Sequence, residues 1–312
     1  MQVKTLSTSR YNSTNVSASV VISGTQKAIF GYGYNGTNRL SMTNLVSNTG
    51  VVATDTTGVG TVRQSLAAAG YGTDKAIFGY GTTDGGTPGV VSITNLVSNT
   101  GVVATDTTGV GTARYGPSAA GYGNDKAIFG YGYAGGYFSI TNLVSNTGVV
   151  ANNTTGVGTA RYASAATGYG TDKAIFGYGD VSSVSNLVSN TGVVATDTPV
   201  VGTSRESPAA AGYGTDKAIF GYGYPHPSAP ISVTNLVSNT GVVATDTTGV
   251  GTARYVLAAA RYGSDKAIFG YGYSSVSVSM TNLVSNTGVV ATDTTGIGTA
   301  RNALAAAGYS TT

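Results

Sequence analysis

The stretch that decides the fold reads Gly121-Tyr122-Gly123-Asn124-Asp125-Lys126-Ala127-Ile128-Phe129-Gly130-Tyr131-Gly132, and its second half occurs six times in the chain. The lysine of its Lys-Ala-Ile-Phe-Gly-Tyr-Gly core recurs at Lys27, Lys75, Lys126, Lys173, Lys217 and Lys266. The spacing between copies is 44 to 51 residues. A period in this range indicates a repeat architecture in which each copy is one supersecondary unit.

Each repeat contains four short segments bounded by Gly, Asn or Asp. An Arg-Tyr-x-x-Ala-Ala segment (residues 114–120) precedes the core, and a variable loop follows the core. A Thr-Asn-Leu-Val segment (within 139–148) and a Val-Val-Ala-Thr-Asp-Thr-Thr-Gly segment (within 102–112) complete the unit. Richness in Val, Thr and Tyr favours strands over helices. The sequence therefore predicts an all-β fold, a single six-bladed β-propeller whose four-stranded antiparallel blades span about 48 residues. The Ala-Ala strands are expected to be innermost.

The two ends of the chain offer one strand more than six blades need. Residues 1–26 are divergent and carry a degenerate first strand, whereas residues 27–312 hold the six repeats. The stretch 301–309 is a further copy of the first segment with nothing after it. It either completes the first blade, with residues 1–26 packed outside, or one of the two strands pairs with a neighbouring molecule in an oligomer or fibre.

Bulk composition limits the class of protein. Only 9% of residues are charged, the net charge is +3, and no Lys/Arg run indicates nucleic-acid binding. The absence of Cys rules out disulfides and Cys-based metal sites. No apolar run approaches the roughly 18 residues of a membrane span. The N-terminus lacks the apolar region of a secretory signal, so either the protein is not exported by that route or a signal has been removed.

Charged residues recur in step with the repeat, which argues against catalysis because a catalytic site needs one particular asymmetric arrangement. The aspartates before the core lysine are predicted to stabilise turns: Asp74, Asp125, Asp172, Asp216 and Asp265. The repeated arginines are Arg63, Arg114, Arg161, Arg205, Arg254 and Arg301. They either bond strand-end carbonyls and the aspartates that recur beside them, or converge near the axis as an anion site. We expect no enzyme activity, no cofactor and no metal.

Tyrosine is the main candidate for surface recognition, since Tyr with Ser, Gly and Asn is typical of adaptable binding surfaces. The first Tyr of each core, as in Tyr80, Tyr131, Tyr178 and Tyr222, is expected to pack between blades. Tyrosines beside the variable loops, of which Tyr133 and Tyr273 are expected to be exposed, form the candidate recognition set: Tyr34, Tyr133, Tyr137, Tyr224 and Tyr273. The single histidine, His226, is interpreted as a solvated loop residue.

The order Arg-x-x-x-Ala-Ala, apolar strand ending in Gly-x-Gly, and Asn-turn strand resembles the kelch repeat over nearly the whole chain. The resemblance implies a β-propeller, although Gly-Tyr-Gly replaces the glycine doublet and the kelch Trp is absent. Closely similar repeats of this kind also resemble kelch-like arrays of phage and environmental sequences. We therefore expect a structural or adhesive protein of a virion or an extracellular filament, partnered by itself or by other surface proteins. A lectin-type glycan-binding propeller is the alternative.

Overall fold

The computed structural model describes residues 26–180 and 182–310, which contain nineteen β-strands and no helix. None of these residues therefore forms a helix long and apolar enough to cross a membrane. The all-β prediction is confirmed. The degenerate strand expected within residues 1–26 lies outside the described residues, except for Gln26.

The strands form six small antiparallel sheets, numbered here in chain order. Sheet 1 contains β1 (Gln26–Tyr34), β2 (Arg39–Val46) and β19 (Ala305–Ser310). Sheet 2 contains β3 (Ala67–Tyr71), β4 (Lys75–Gly79) and β5 (Thr94–Val97), and sheet 3 contains β6 (Ser118–Tyr122), β7 (Lys126–Gly130) and β8 (Thr141–Val144). Sheet 4 contains β9 (Ala165–Tyr169), β10 (Lys173–Gly177), β11 (Val184–Val188) and β12 (Thr198–Pro199). Sheet 5 contains β13 (Ala209–Tyr213), β14 (Lys217–Gly223) and β15 (Ile231–Val237), and sheet 6 contains β16 (Ala258–Tyr262), β17 (Lys266–Gly270) and β18 (Thr281–Val284).

The repeated core forms the middle strand of every sheet. In sheet 3, Ser118 pairs with Gly130 and Tyr122 pairs with Lys126, so a tight turn joins β6 to β7. Asn124 in this turn has a φ of 70°, a left-handed conformation that Asn tolerates better than most residues. The strands of each sheet therefore share a turn end, at the Asp-Lys pairs, and a loop end, where the variable loops lie.

The prediction of four regular strands per blade is wrong for five of the six sheets. In sheet 2, Thr94 bridges Thr107 and Val97 bridges Val103. The two bridges are three positions apart on β5 but four positions apart on the segment that follows, which therefore contains one extra residue. The extra residue interrupts the ladder, as a β-bulge does. The Asn95 side chain donates from Nδ2 to the Ala104 carbonyl at 3.0 Å. A side chain thus occupies one carbonyl of the fourth segment, which pairs with β5 only at isolated bridges.

Sheet 4 is the exception, and its repeat has Pro199 and Val200 where the other repeats have Thr-Gly. Elsewhere a glycine such as Gly109 lies so close to Ser92 that an added Cβ would be 2.1 Å from the serine Oγ. Sheet 4 has Val200 at the corresponding position, and a valine side chain cannot fit there. Its amide bonds the Ser183 carbonyl at 2.8 Å, and the preceding residues form β12. The four-stranded sheet thus coincides with the replacement of Thr-Gly by Pro-Val.

Neighbouring sheets pack through a repeated Gly–Phe contact. A Cβ added to Gly130 of sheet 3 would lie 2.8 Å from Cζ of Phe176 in sheet 4, so the phenyl ring occupies the space a side chain would need. Phe176 is fully buried and meets the Tyr131 ring edge-on, with centroids 5.0 Å apart. The same contact joins Gly270 of sheet 6 to Phe30 of sheet 1. Each Phe thus fixes the distance between two sheets.

The first strand of each sheet contacts the first strands of two other sheets. The contacting pairs are β3–β6, β6–β9, β9–β13, β13–β16, β16–β19 and β19–β3. Strand β19 pairs with β1 over Gln26–Gly31, so the last described strand supplies the first strand of sheet 1. Small residues of these six first strands, such as Ala119 and Gly121 of β6, line a cavity of about 270 Å³ at the turn end.

Candidate functional site

The six repeated arginines form a buried polar framework. The guanidinium of Arg114 donates to the Tyr131 carbonyl from Nε at 2.6 Å, to the Thr112 carbonyl at 2.9 Å and to Asn142 Oδ1 at 2.8 Å. It also lies over the ring of Tyr80 in the preceding sheet, 4.2 Å from the centroid. Burial lowers the pKa of Arg114, and the facing Tyr80 partly offsets this effect. Each of the three guanidinium nitrogens thus donates a hydrogen bond, and an aromatic ring covers one face of the group.

This geometry decides between the two alternatives for the arginines. Arg63, Arg114, Arg161, Arg205, Arg254 and Arg301 are all 0–1% exposed. They bond carbonyls and asparagines inside the sheets, and the nearest carboxylates lie 3.8 to 4.0 Å away in four cases, as for Arg63 and Asp106. A dissolved anion cannot reach them in this conformation. The anion-site alternative for the arginines is wrong.

The aspartates that recur beside the arginines accept several hydrogen bonds. Asp106 accepts from Asn95 Nδ2 at 2.9 Å and from the Thr61 hydroxyl at 2.6 Å. Burial raises the pKa of Asp106, but these hydrogen bonds and the charge of Arg63 lower it more, so its pKa lies below the usual value. In sheet 3 Asn153 takes this place, accepting from Asn142 and donating to the Thr112 hydroxyl. The hydrogen bonds at this position therefore do not require a charged side chain, because both Asp and Asn make them.

The Asp-Lys pairs lie together at the turn end. The Asp125 carboxylate and Lys126 Nζ are 2.9 Å apart, and the equivalent distances in sheets 2, 4, 5 and 6 are 2.7 to 3.6 Å. The Asp125 carbonyl accepts from the Gly72 amide of the preceding sheet at 2.7 Å. The backbone of the turn thus joins two sheets, whereas the ion pair is solvent-exposed and contributes little.

The loop end, in contrast, is chemically uneven. In each sheet the residue after the repeated Arg lies beside the residue after Gly-Tyr-Gly. Going from sheet 1 to sheet 6, the pairs are Asn302 with Tyr34, Gln64 with Thr82, Tyr115 with Tyr133, Tyr162 with Asp180, Glu206 with Tyr224, and Tyr255 with Tyr273. Five of the six are directly bridged in the sheet, all but the pair of sheet 4. Sheets 3 and 6 therefore carry two tyrosines each, and sheets 4 and 5 carry a tyrosine and an acid, whereas sheet 1 has a tyrosine with an amide and sheet 2 has no aromatic residue in its pair.

Four tyrosines of sheets 3 and 4 form one cluster. The ring of Tyr133 lies between those of Tyr115 and Tyr137, with centroids 5.4 Å from each. Tyr137 is stacked on Tyr162 at 5.7 Å with an interplanar angle of 15°. Burial and the charge of Asp180 raise the pKa of Tyr137. The rings thus hold each other in place.

A second group joins sheets 5 and 6. Tyr224 is stacked on Tyr255 at 5.2 Å and meets the His226 ring edge-on at 5.5 Å. Tyr273 packs against the other side of this group, 5.7 Å from Tyr255. The remaining predicted tyrosine, Tyr34, lies apart in sheet 1, where its hydroxyl donates to the Gly36 carbonyl and its ring packs near Arg39.

Burial corrects part of the tyrosine prediction. Tyr80, Tyr131, Tyr178 and Tyr222 are fully buried, as expected for core residues. The expectation that Tyr133 and Tyr273 are exposed is wrong, because both are half-buried by neighbouring aromatic rings. Tyr137 is the one large exposed aromatic of this set, at 47%. His226 is exposed, as expected, but it also contacts Tyr224.

Glu206 is the residue that sequence reasoning missed. It is the only glutamate of the chain, and it follows a repeated Arg at a position where two repeats have an amide and three have Tyr. It is half-buried, and Tyr162 donates to its Oε2 at 3.5 Å. Burial raises the pKa of Glu206 and Asp180 raises it further, whereas His226 and Tyr162 lower it. The variability after an otherwise constant Arg was the available signal.

A cavity of about 290 Å³ opens at this end between the segments that lead into the six first strands. Its walls include Tyr115, Tyr162, Tyr255 and Glu206, and apolar side chains complete them: Leu66, Pro117, Pro208, Val256, Leu257 and Leu304. This volume lies near the lower end of small-molecule sites. We call it the loop-end cavity. Within residues 26–180 and 182–310, no three His, Asp or Glu side chains are grouped closely enough to hold a metal ion.

Comparison with known proteins adds no relative: no family model matches the chain, and no curated protein resembles it at a significant level.

Proposed function

We propose that the six sheets are the blades of one closed β-propeller of kelch-like type. Two sets of backbone hydrogen bonds support closure, because each runs from sheet to sheet and includes a bond between the first sheet and the last. In one set, Gly33 donates to the Arg63 carbonyl and Gly272 of sheet 6 donates to the Arg301 carbonyl of sheet 1, both at 3.0 Å. The pairing of β19 with β1 also supports closure, because it joins the end of the chain to its first described strand.

A second set supports closure most directly. It joins the residues two positions after each Arg, at donor–acceptor distances of 2.7 to 3.2 Å. In order, each amide donates to the carbonyl of the next residue named, and the last returns to the first: Ser65, Ala303, Val256, Ser207, Ala163 and Gly116. A linear stack of repeats would leave one donor and one acceptor of this set unpaired.

We propose that the chain serves as a non-enzymatic structural or adhesive module of a particle or cell surface, such as a virion or an extracellular filament. The observation that carries this proposal is the division between a repeated, buried framework and one end that varies. Six blades keep the same buried Arg, Tyr and Asn, while the loop end differs from blade to blade. Variation confined to one face of a repeat protein is typical of a contact surface. The partners would be other copies of the chain or other surface proteins.

Glycan binding is the second candidate, and Tyr137 favours it. Its exposed ring lies beside Asp180, and an aromatic face next to a carboxylate suits a sugar ring and its hydroxyl groups. One site in every blade is not supported, since Thr82 and Asp180 take the tyrosine position in sheets 2 and 4. A lectin role would therefore use one site in sheets 3 and 4.

The test uses the purified chain on a glycan array and in sedimentation at increasing concentration, and on surfaces coated with whole cells or particles. Two variants are compared with the unmodified chain: Tyr137→Ser with Tyr224→Ser at the loop end, and Lys126→Ser with Lys173→Ser at the turn end. Binding or self-association lost only in the loop-end variant supports the proposal. Equal loss in both variants, or no binding in any format, contradicts it. Binding restricted to the array identifies the lectin alternative.

A further inference from the structure

The loop-end cavity contains a carboxylate without a cationic partner. Glu206 is half-buried, and within the described part of the chain no Lys or Arg nitrogen lies within salt-bridge distance of it. Its closest hydrogen-bonding contact is the long one from Tyr162. A partly desolvated carboxylate gains most from a positive charge that arrives with a ligand.

The neighbouring arginines do not supply that charge. Arg161, Arg205 and Arg254 each precede a residue of the cavity wall, but their side chains are buried and point into the framework. The guanidinium of Arg205 donates to Asn235 and lies 4.1 Å from the centroid of Tyr178. Among residues 26–180 and 182–310, His226 is the one other ionisable basic group near Glu206, and it packs on Tyr224.

The remaining walls are aromatic and apolar. Tyr115, Tyr162 and Tyr255 line the cavity, and the electron-rich faces of such rings attract cations. Tyr162 is braced by Tyr137 and Tyr255 by Tyr224, both in stacked contact, so the walls are held before a ligand arrives. The leucines of the cavity offer no hydrogen bond and suit methyl groups.

We infer that the loop-end cavity binds a methylated ammonium group, with Glu206 as the counter-charge and Tyr115, Tyr162 and Tyr255 as the aromatic walls. The ligand class is a compact organic cation of the choline type, either free or as a lipid headgroup. This inference deepens the proposed contact role of the loop end and rests on it. Binding of a small cation is measured without any surface, so a failure of cation binding and a failure of adhesion are distinguishable.

The test is titration of the full chain with choline, followed by calorimetry and by chemical shifts of the tyrosine rings. The neutral isostere dimethylbutanol, in which carbon replaces the nitrogen, is titrated in parallel. We expect saturable choline binding, at least tenfold weaker binding of the isostere, and at least tenfold loss of choline affinity in Glu206→Gln. The matched control is Asp84→Asn, an acid-to-amide change in the variable loop of sheet 2, which should leave binding unchanged.

Absence of choline binding, equal binding of the isostere, or full binding by Glu206→Gln would each overturn the inference. If Glu206→Gln does not fold, Tyr255→Ala and Glu206→Asp replace it, and both should weaken binding. Flotation with phosphatidylcholine vesicles, compared with phosphatidylglycerol vesicles, then separates the two sources. Capture of the former only indicates a headgroup, and choline binding without capture indicates a free solute.

Discussion

The contact between Gly270 and Phe30 offers a direct test of closure, because these residues lie in the last and the first sheet. A Cβ added at Gly270 would be 2.7 Å from Phe30 Cζ and 3.0 Å from Cε1. The shorter distance falls about 0.8 Å below the optimal carbon–carbon separation. Phe30 is fully buried and meets the Tyr271 ring 5.1 Å away, so it has little room to retreat. Gly270→Ala should therefore lower the free energy of unfolding by about 1–3 kcal/mol.

A second substitution gives that prediction its specificity. Phe30→Leu should itself cost about 1–3 kcal/mol, because it shortens a buried side chain. It also removes the two ring atoms that an alanine at position 270 would meet, so Gly270→Ala should cost little when it is combined with Phe30→Leu. The double-mutant cycle should therefore show a favourable coupling of about 1–3 kcal/mol, well above the roughly 0.5 kcal/mol scatter of independent sites.

The assay is urea unfolding followed by circular dichroism, with the midpoint and slope fitted for all four proteins. Gly136→Ala is the control, since an added Cβ there has no heavy atom within 4 Å. The equivalent cycle at Gly130 and Phe176 gives the coupling expected between consecutive sheets. Strictly additive effects at Gly270 and Phe30, with clear coupling at Gly130 and Phe176, would refute closure between sheets 6 and 1.

Four further predictions use the repeats as references for each other. Pro199→Thr with Val200→Gly should restore in sheet 4 the segment that the other sheets have. The Tyr178 hydroxyl, which has no hydrogen-bond partner, should then gain a carbonyl acceptor equivalent to the Val157 carbonyl that Tyr131 uses. The free energy of unfolding measured in urea should rise by about 1 kcal/mol, and an unchanged value would contradict the role given to the glycine. Asp106→Asn should cost less than about 1 kcal/mol at neutral pH, because Asn153 already makes the equivalent bonds. The pKa values of the five equivalent aspartates are lowered by folding, so their stabilisation is complete above the unfolded value of about 3.9 and is lost as pH falls through the lower folded values. Replacing all five by Asn should flatten the fall of the unfolding midpoint below about pH 4, and an unchanged acid profile would contradict this. Gly116→Val should cost about 1–2 kcal/mol, since φ is +60° there, and a thermal shift equal to that of Gly136→Ala would refute the strain argument.

The sequence was sufficient for the parts of the fold that depend on period and turn chemistry. Six copies of Lys-Ala-Ile-Phe-Gly predicted six buried middle strands, and Gly123 with Asn124 marked the turn that precedes one of them. The fourth strand could not be excluded in the same way. Its Val and Thr residues are typical of a strand, but it pairs with β5 only at isolated bridges on either side of an extra residue. An inserted residue of this kind has no signature in periodicity.

The candidate site was predictable only in part, because it depends on which positions meet across a sheet. The variable loops marked the end that differs from sheet to sheet, and Tyr137 and Tyr224 were identified beside them. Glu206 was overlooked, because recurrence identifies the framework, and the informative residue was the one that does not recur. Its proximity to Tyr162 joins two repeats and requires the register between sheets, which a single copy does not contain.

Because β19 completes sheet 1, the nascent chain cannot complete this sheet until its synthesis is almost finished. Roughly 270 residues separate the end of β1 from the start of β19, so at ribosomal speed β1 waits about 15 to 60 seconds for its partner. During that interval one edge of β1 has unpaired amides and carbonyls that a strand of another chain can bind. Crowded synthesis on polysomes therefore favours exchange of β19 between sister chains, and slower initiation should raise the yield of monomer.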